Sequence, residues 1–232
     1  MSKIIYWACN ENEWLRAKNP EPVYKNFIKD LKDKDLQMEF CSAIKDYMHN
    51  MFSIKSLYDY NFKLEKNTNQ TKSDVYNQSF FDEHIFIRSQ MERCFSFTQK
   101  FIFFTEEKSL LISGGILPFL EDNNITKRCT VIPGTFDIGK WFRPLDFVFY
   151  LKKDYDEFKI EEEEIFQYIK FDTKEKIIFK QFKINSKIKE VLLDSDNAKN
   201  FRKQKLRNLK EYYSMLKNKK YIISLIKENL LD

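Results

Sequence analysis

The residues best suited to chemistry crowd into one stretch, 114–146. All four glycines of the chain lie there, with three of its five prolines. In a sequence so poor in glycine, each one marks a position where a side chain is not tolerated. Gly114-Gly115 and Pro133-Gly134 are turn signals. Gly139 precedes Lys140, Trp141, Phe142 and Arg143, a run of cationic and aromatic groups. Two arrangements suit this pattern. In one, tight turns join strands, Trp141 packs in the core, and Arg143 pairs with Asp137 or Asp146. In the other, loops carried on a rigid scaffold bring Asp122, Arg128, Asp137, Lys140, Trp141 and Arg143 together around a small anionic ligand. The second arrangement also allows metal-independent catalysis, with Asp137 as general base and Arg143 as the anion anchor.

Other constellations argue against familiar mechanisms. The chain has only His49 and His84. A two-histidine, one-carboxylate iron site would need both, and neither opens a His-x-Asp. His84, beside Asp82 and Glu83, reads as an edge histidine with a carboxylate neighbour. Cys9, Cys41, Cys94 and Cys129 are scattered without a Cys-x-x-Cys pair, so zinc spacing is absent and free thiols are expected. There is no Gly-x-Ser-x-Gly and no phosphate-cradling glycine loop. The run Glu161-Glu162-Glu163-Glu164 sits where a turn is expected. Successive side chains there point different ways, which suits a solvated hairpin tip better than a cation site. No metal and no cofactor is expected.

The elements that must position these residues are mostly strands. Residues 3–9 open as a strand and run into a loop that ends at Pro20-Glu21-Pro22, which cannot easily continue a ladder. Short helices are expected over 26–34 and 42–52, the second from Ile44, Tyr47, Met48 and Met51 at helical spacing. In 57–65, Tyr58, Tyr60, Phe62 and Leu64 alternate with polar residues, as on a half-buried strand. Further short strands are expected within 86–105 and at 110–113, 128–132, 147–152, 158–160, 165–171 and 177–184. Irregular spacing with little helix between the strands points to an antiparallel β-sandwich, jelly-roll-like, over residues 1–195.

From 196 onward the pattern turns helical. Phe201, Leu206, Leu209, Tyr213, Leu216, Ile222, Ile226 and Leu230 recur near helical spacing. Residues 196–232 carry a net charge of +6 and the rest of the chain −1. This C-terminal α-helical extension is expected to pack on the sandwich. Its cations Arg202, Lys203, Lys205 and Arg207 are an alternative contact for nucleic acid or a partner protein.

Composition frames these expectations. Among 232 residues are 23 Phe, 12 Tyr and 3 Trp, and aromatic residues favour pleated, half-buried surfaces. The 33 Lys against 7 Arg follow from AT-rich codon usage, so lysine abundance alone does not indicate an anionic partner. No apolar run approaches the ~18 residues of a membrane span, and the N-terminus lacks a signal-peptide layout. A soluble cytoplasmic protein without a membrane partner is the expectation.

The order Ile5-Tyr6-Trp7, then Pro118-Phe119-Leu120-Glu121-Asp122-Asn123, then Ile132-Pro133-Gly134-Thr135-Phe136-Asp137-Ile138-Gly139-Lys140-Trp141-Phe142-Arg143-Pro144 resembles uncharacterised proteins of tailed phages that infect marine bacteria. Tyr168 to Thr173 and Gln181-Phe182 extend the resemblance over most of residues 1–185. More distantly, the chain resembles bacterial β-sandwich proteins of unknown activity. The resemblance implies a jelly-roll-like protein acting in the cytoplasm of an infected host cell, and it carries no catalytic residues. The preferred expectation is a non-catalytic binding or host-modulating accessory protein. A jelly-roll enzyme on a small anionic substrate, a nucleic-acid binder and a minor virion component remain alternatives.

Overall fold

The computed structural model of the chain describes residues 2–9, 15–33, 41–64, 71–72, 79–80, 84–89, 93–97, 101–200, 213 and 218–231. Within these the protein is mainly β, with four sheets and five helices. Sheet one orders β15 (Lys176–Gln181), β1 (Ser2–Ala8) and β8 (Ile102–Phe104). Sheet two orders β11 (Gly134–Asp137), β9 (Leu111–Ile116), β14 (Ile165–Phe171), β3 (Met51–Lys55) and β2 (Glu21–Pro22). Sheet three orders β13 (Glu157–Ile160), β4 (Tyr60–Leu64) and β5 (Thr71–Lys72). Sheet four orders β10 (Cys129–Ile132), β12 (Val148–Leu151), β7 (Cys94–Phe97) and β6 (Ile85–Ser89). Pairing is antiparallel except between β1 and β15, which run parallel with Ser2 opposite Lys176.

Every sheet contributes to one hydrophobic core. Ile5 and Trp7 come from sheet one, Ile112 and Phe166 from sheet two, Tyr60 and Phe158 from sheet three, and Phe95, Phe97 and Phe149 from sheet four. Phe97 stands at the junction. Its ring lies 4.7 Å from Tyr60, 5.2 Å from Phe158, 5.3 Å from Phe149 and 4.8 Å from Phe166, all tilted or edge-on. Aromatic pairs favour these geometries because the positive ring edge meets a negative face.

Helices cover two outer faces. α1 (Val23–Asp33) and α2 (Ser42–Met48) pack on sheet two, where Val23, Met48, Met51 and Tyr168 form a separate cluster. α4 (Ser186–Asn200) and α5 (Lys219–Glu228) cover sheet one. There Ile188, Ile222, Leu225 and Ile226 meet Tyr6, Ala8, Ile102 and Phe104. The short α3 (Asn124–Arg128) starts at Asn123, whose side chain accepts from the Thr126 N–H. Among the described residues no helix is long and apolar enough to cross a membrane.

Several elements differ from expectation for local reasons. The helix read over 42–52 stops at Met48, because Asn50 takes a left-handed conformation (φ 52°) and Met51 begins β3. Asn50 secures this corner by donating to the carbonyls of Thr173 and Glu175. The helix read from 26 starts three residues earlier, directly after Pro22. Gly114 and Gly115 form part of β9 and not a turn. A Cβ at Gly114 would overlap the Phe147 ring, and Gly115 holds φ +71° where the β9–β14 register slips. The Gly115 N–H donates to the buried Gln167 Oε1 at 2.9 Å. Segment 134–137, read as loop, is strand β11, and helix α4 begins at Ser186, before the boundary placed at 195.

Removal of the Phe97 ring opens a cavity shared by three sheets. Phe97→Ala is expected to cost about 3–5 kcal/mol, and Phe97→Leu, which keeps most of the volume, clearly less. Urea unfolding measures both; equal losses would mean that the ring is not the junction described.

Candidate functional site

Asp137 ends β11 with its side chain pointing inward, 3% exposed. Its carboxylate accepts from Lys140 Nζ at 2.7 Å, Ser109 Oγ at 2.8 Å, the Gly139 N–H at 3.0 Å and the Leu110 N–H at 3.1 Å. Gly139 is needed here, because a Cβ would come within 2.6 Å of the Glu107 carbonyl. Burial by itself would raise the Asp137 pKa, but these hydrogen bonds outweigh it and hold the carboxyl below its ordinary value. A carboxylate with both oxygens engaged and its basicity lowered is a poor proton acceptor. Its role is to fix the turn.

The cations of this turn are drawn inward as well. Lys140 lies on Asp137 and 5.8 Å from the Tyr213 ring, whose hydroxyl accepts from the Asp137 N–H at 2.7 Å. Trp141 packs 5.0 Å from Phe136, and the Arg143 guanidinium, 8% exposed, covers its ring at 5.1 Å. Lys219 of α5 donates to the carbonyls of Glu107 and Gly139, and burial lowers its pKa. Asp146 pairs with Arg88.

The structure divides the six residues grouped by sequence. Asp137, Lys140, Trp141 and Arg143 share the turn just described. Asp122 and Arg128 bracket α3 and engage other partners: exposed Asp122 pairs with Lys127 at 3.2 Å, and Arg128 reaches the carbonyl and carboxylate of Glu157 and lies over Tyr155. Arg202, Lys203, Lys205 and Arg207 lie outside the described residues. His84 is buried, stacked on Phe80 at 4.2 Å with Nδ1 2.9 Å from the Phe80 carbonyl, whereas an edge position was expected; Asp82 and Glu83 lie outside the described residues. His49 is exposed, near the Lys174 carbonyl.

A concave site forms elsewhere, where β2, α1, β3, the turn before α3 and the 161–164 turn that carries the chain from β13 in sheet three to β14 in sheet two meet. This cleft has a volume of about 410 Å³, within the range of ligand sites. Five carboxylates line it, Glu21, Asp30, Glu121, Glu163 and Glu164, against two ammonium groups, Lys29 and Lys55. Glu163 adopts a left-handed conformation (φ 69°) in the 161–164 turn. Its carboxylate meets Lys18 at 2.9 Å and Lys55 at 3.7 Å. Lys55 in turn pairs with Glu21 at 3.2 Å, and Asn26 donates to the same carboxylate. Burial would raise the Glu21 pKa, but the Lys55 and Asn26 bonds bring it below the ordinary value.

Backbone bonds between Ser56 and both Glu163 and Glu164 fasten this turn to the end of β3. Asn123 donates to the Ile165 carbonyl at 2.8 Å and closes the opposite wall. The glutamate run, expected as a hairpin tip, is instead a docked connection between two sheets; Glu163 and Glu164 line the cleft, with Glu164 half-buried and Glu161 to Glu163 exposed. Below the turn, the buried Tyr168 hydroxyl has its pKa pushed well up by burial, then by the charge of Glu121. Sequence gave one usable signal for this site, the glutamate run itself. Glu21, Asp30 and Glu121 are joined to it only by the fold.

No family model, curated protein or solved structure matches the chain.

Because the folded Asp137 carboxyl lies below its ordinary value of 3.8, the stability it contributes is complete above that pH and is lost as pH falls through the folded value. Asp137→Asn is expected to lower stability by about 1–3 kcal/mol at neutral pH, and the difference from the unaltered chain narrows as the solution is acidified. Urea unfolding at neutral and acidic pH checks this; a difference independent of pH would place the effect outside carboxylate ionisation.

Proposed function

We propose that the protein is a non-catalytic binding protein whose acid-lined cleft takes a cationic group. The observation that carries this reading is the excess of carboxylates in the cleft: five line it against Lys29 and Lys55, and even with Glu21 and Glu163 engaged by Lys55 and Lys18 the lining keeps a net negative charge. A concave, partly desolvated wall of one sign concentrates ligands of the opposite sign. The sequence-level expectation of an anionic ligand at Lys140, Trp141 and Arg143 has less support. There, Lys140 is committed to Asp137, and Arg143 is almost buried against Trp141.

The finer fold reading belongs to the same proposal. Four largely antiparallel sheets around one core support a β-sandwich of jelly-roll type, elaborated by helices on two faces. With the resemblance to tailed-phage proteins, this supports an accessory, host-modulating role in the cytoplasm of an infected cell.

Spermidine is the simplest probe, and calorimetric titration at low ionic strength is the test. Binding is expected to weaken with added salt, and Asp30→Asn and Glu121→Gln are each expected to cost about two- to fivefold in affinity. Absence of spermidine binding, or binding that ignores both substitutions, would falsify the assignment of the cleft.

A further inference from the structure

Beside the cleft lies an exposed aromatic ledge. Tyr47 of α2 is 54% exposed, Phe119 44% and Leu120 36%. Leu120 is followed directly by Glu121, so ledge and cleft meet within one turn of chain. The ledge is built to hold its shape. Phe119 meets Tyr47 at 5.7 Å and rests edge-on against the buried Tyr168 at 5.2 Å. The turn is closed by backbone bonds from Phe119 to Leu117 and from Glu121 to Pro118. Lys170 donates to the Tyr47 carbonyl and lies 5.0 Å from its ring centroid, which fixes that side chain from below the turn of the helix.

We infer that cleft and ledge form one docking surface for a basic peptide segment of a partner protein, with a lysine or arginine in the cleft and a neighbouring large apolar side chain on Tyr47, Phe119 and Leu120. This rests on the reading of the cleft as a cation site and adds the class of partner. Charge complementarity selects the basic component. The ledge adds a demand that a bare polyamine does not meet, because ordered exposed aromatic groups next to a charged recess favour an apolar anchor. The carboxylates disfavour nucleic acid, whose phosphates would face a lining of net negative charge. An extended segment suits the geometry, since residues i and i+2 share one face about 7 Å apart and present both groups together.

Fluorescence anisotropy with two labelled octapeptides tests the inference on the full chain. One repeats lysine-serine-leucine-serine, which sets lysine and leucine at i and i+2 on one face; the other has serine in place of each leucine. The leucine peptide is expected to bind about tenfold more tightly, the worth of burying part of one such side chain. Tyr47→Ser and Leu120→Ser, both at exposed positions, are expected to reduce that preference and leave spermidine binding unchanged. Asp30→Asn with Glu121→Gln weakens all three ligands.

Equal affinity for the two peptides, with spermidine still bound, overturns the ledge and leaves the cation cleft standing. Failure of all three ligands overturns both. A single-stranded oligonucleotide that displaces the leucine peptide overturns the assignment in favour of nucleic acid. A concentration-dependent sedimentation shift that disappears in the Asp30→Asn, Glu121→Gln chain overturns it in favour of a second copy.

Discussion

The ring of Phe97 is the contact on which the architecture turns. Three sheets present aromatic side chains to it, so their inner faces share one core. Aromatic rings fill volume with few rotatable bonds, and tilted packing makes their contacts directional. The orientations of the sheets are therefore coupled through one small region. Helices α1, α2, α4 and α5 add apolar clusters on outer faces and leave this junction untouched.

The two polar centres show how differently charge is used around such a core. At Asp137 a buried carboxylate gathers a lysine, a hydroxyl and two backbone amides, and so converts a glycine-dependent turn into a fixed corner. An ion removed from water needs this many partners to be tolerated. Around the cleft, the chain Lys18–Glu163–Lys55–Glu21 lies nearer to solvent and ties the 161–164 turn to β3. There the ion pairs shape a wall, and the remaining carboxylates set its sign.

Much of the strand pattern was legible in the sequence. Tyr60, Phe62 and Leu64 alternate with polar neighbours because one face of β4 meets the core, and that alternation is a local property. The run 165–171 was equally visible, although four successive residues of β14 are buried there because helices cover its second face. Gly114-Gly115 was recognised as intolerant of side chains but read as a turn. Its actual constraints are Phe147, 33 residues beyond Gly114, and at Gly115 a register slip against β14. Segment 134–137 carries too little apolar pattern to announce a strand; its partner β9 makes it one. For the site, residue chemistry pointed to the 137–143 turn, where conspicuous charges serve the fold. The cleft draws on positions from 21 to 165, and only tertiary proximity unites them.

The parallel pairing of β1 with β15 has a temporal consequence. Lys3 stands opposite Ile177, so one edge of the first strand lacks its neighbour until some 170 further residues have been made. At ribosomal rates of about 5–20 residues per second, that delay is on the order of 10–30 s. Throughout it, Ile5 and Trp7 belong to a sheet that has yet to be completed. Such late closure between distant segments slows folding. Until β15 emerges, the growing chain carries Ile5 and Trp7 on a strand whose packing is still partial.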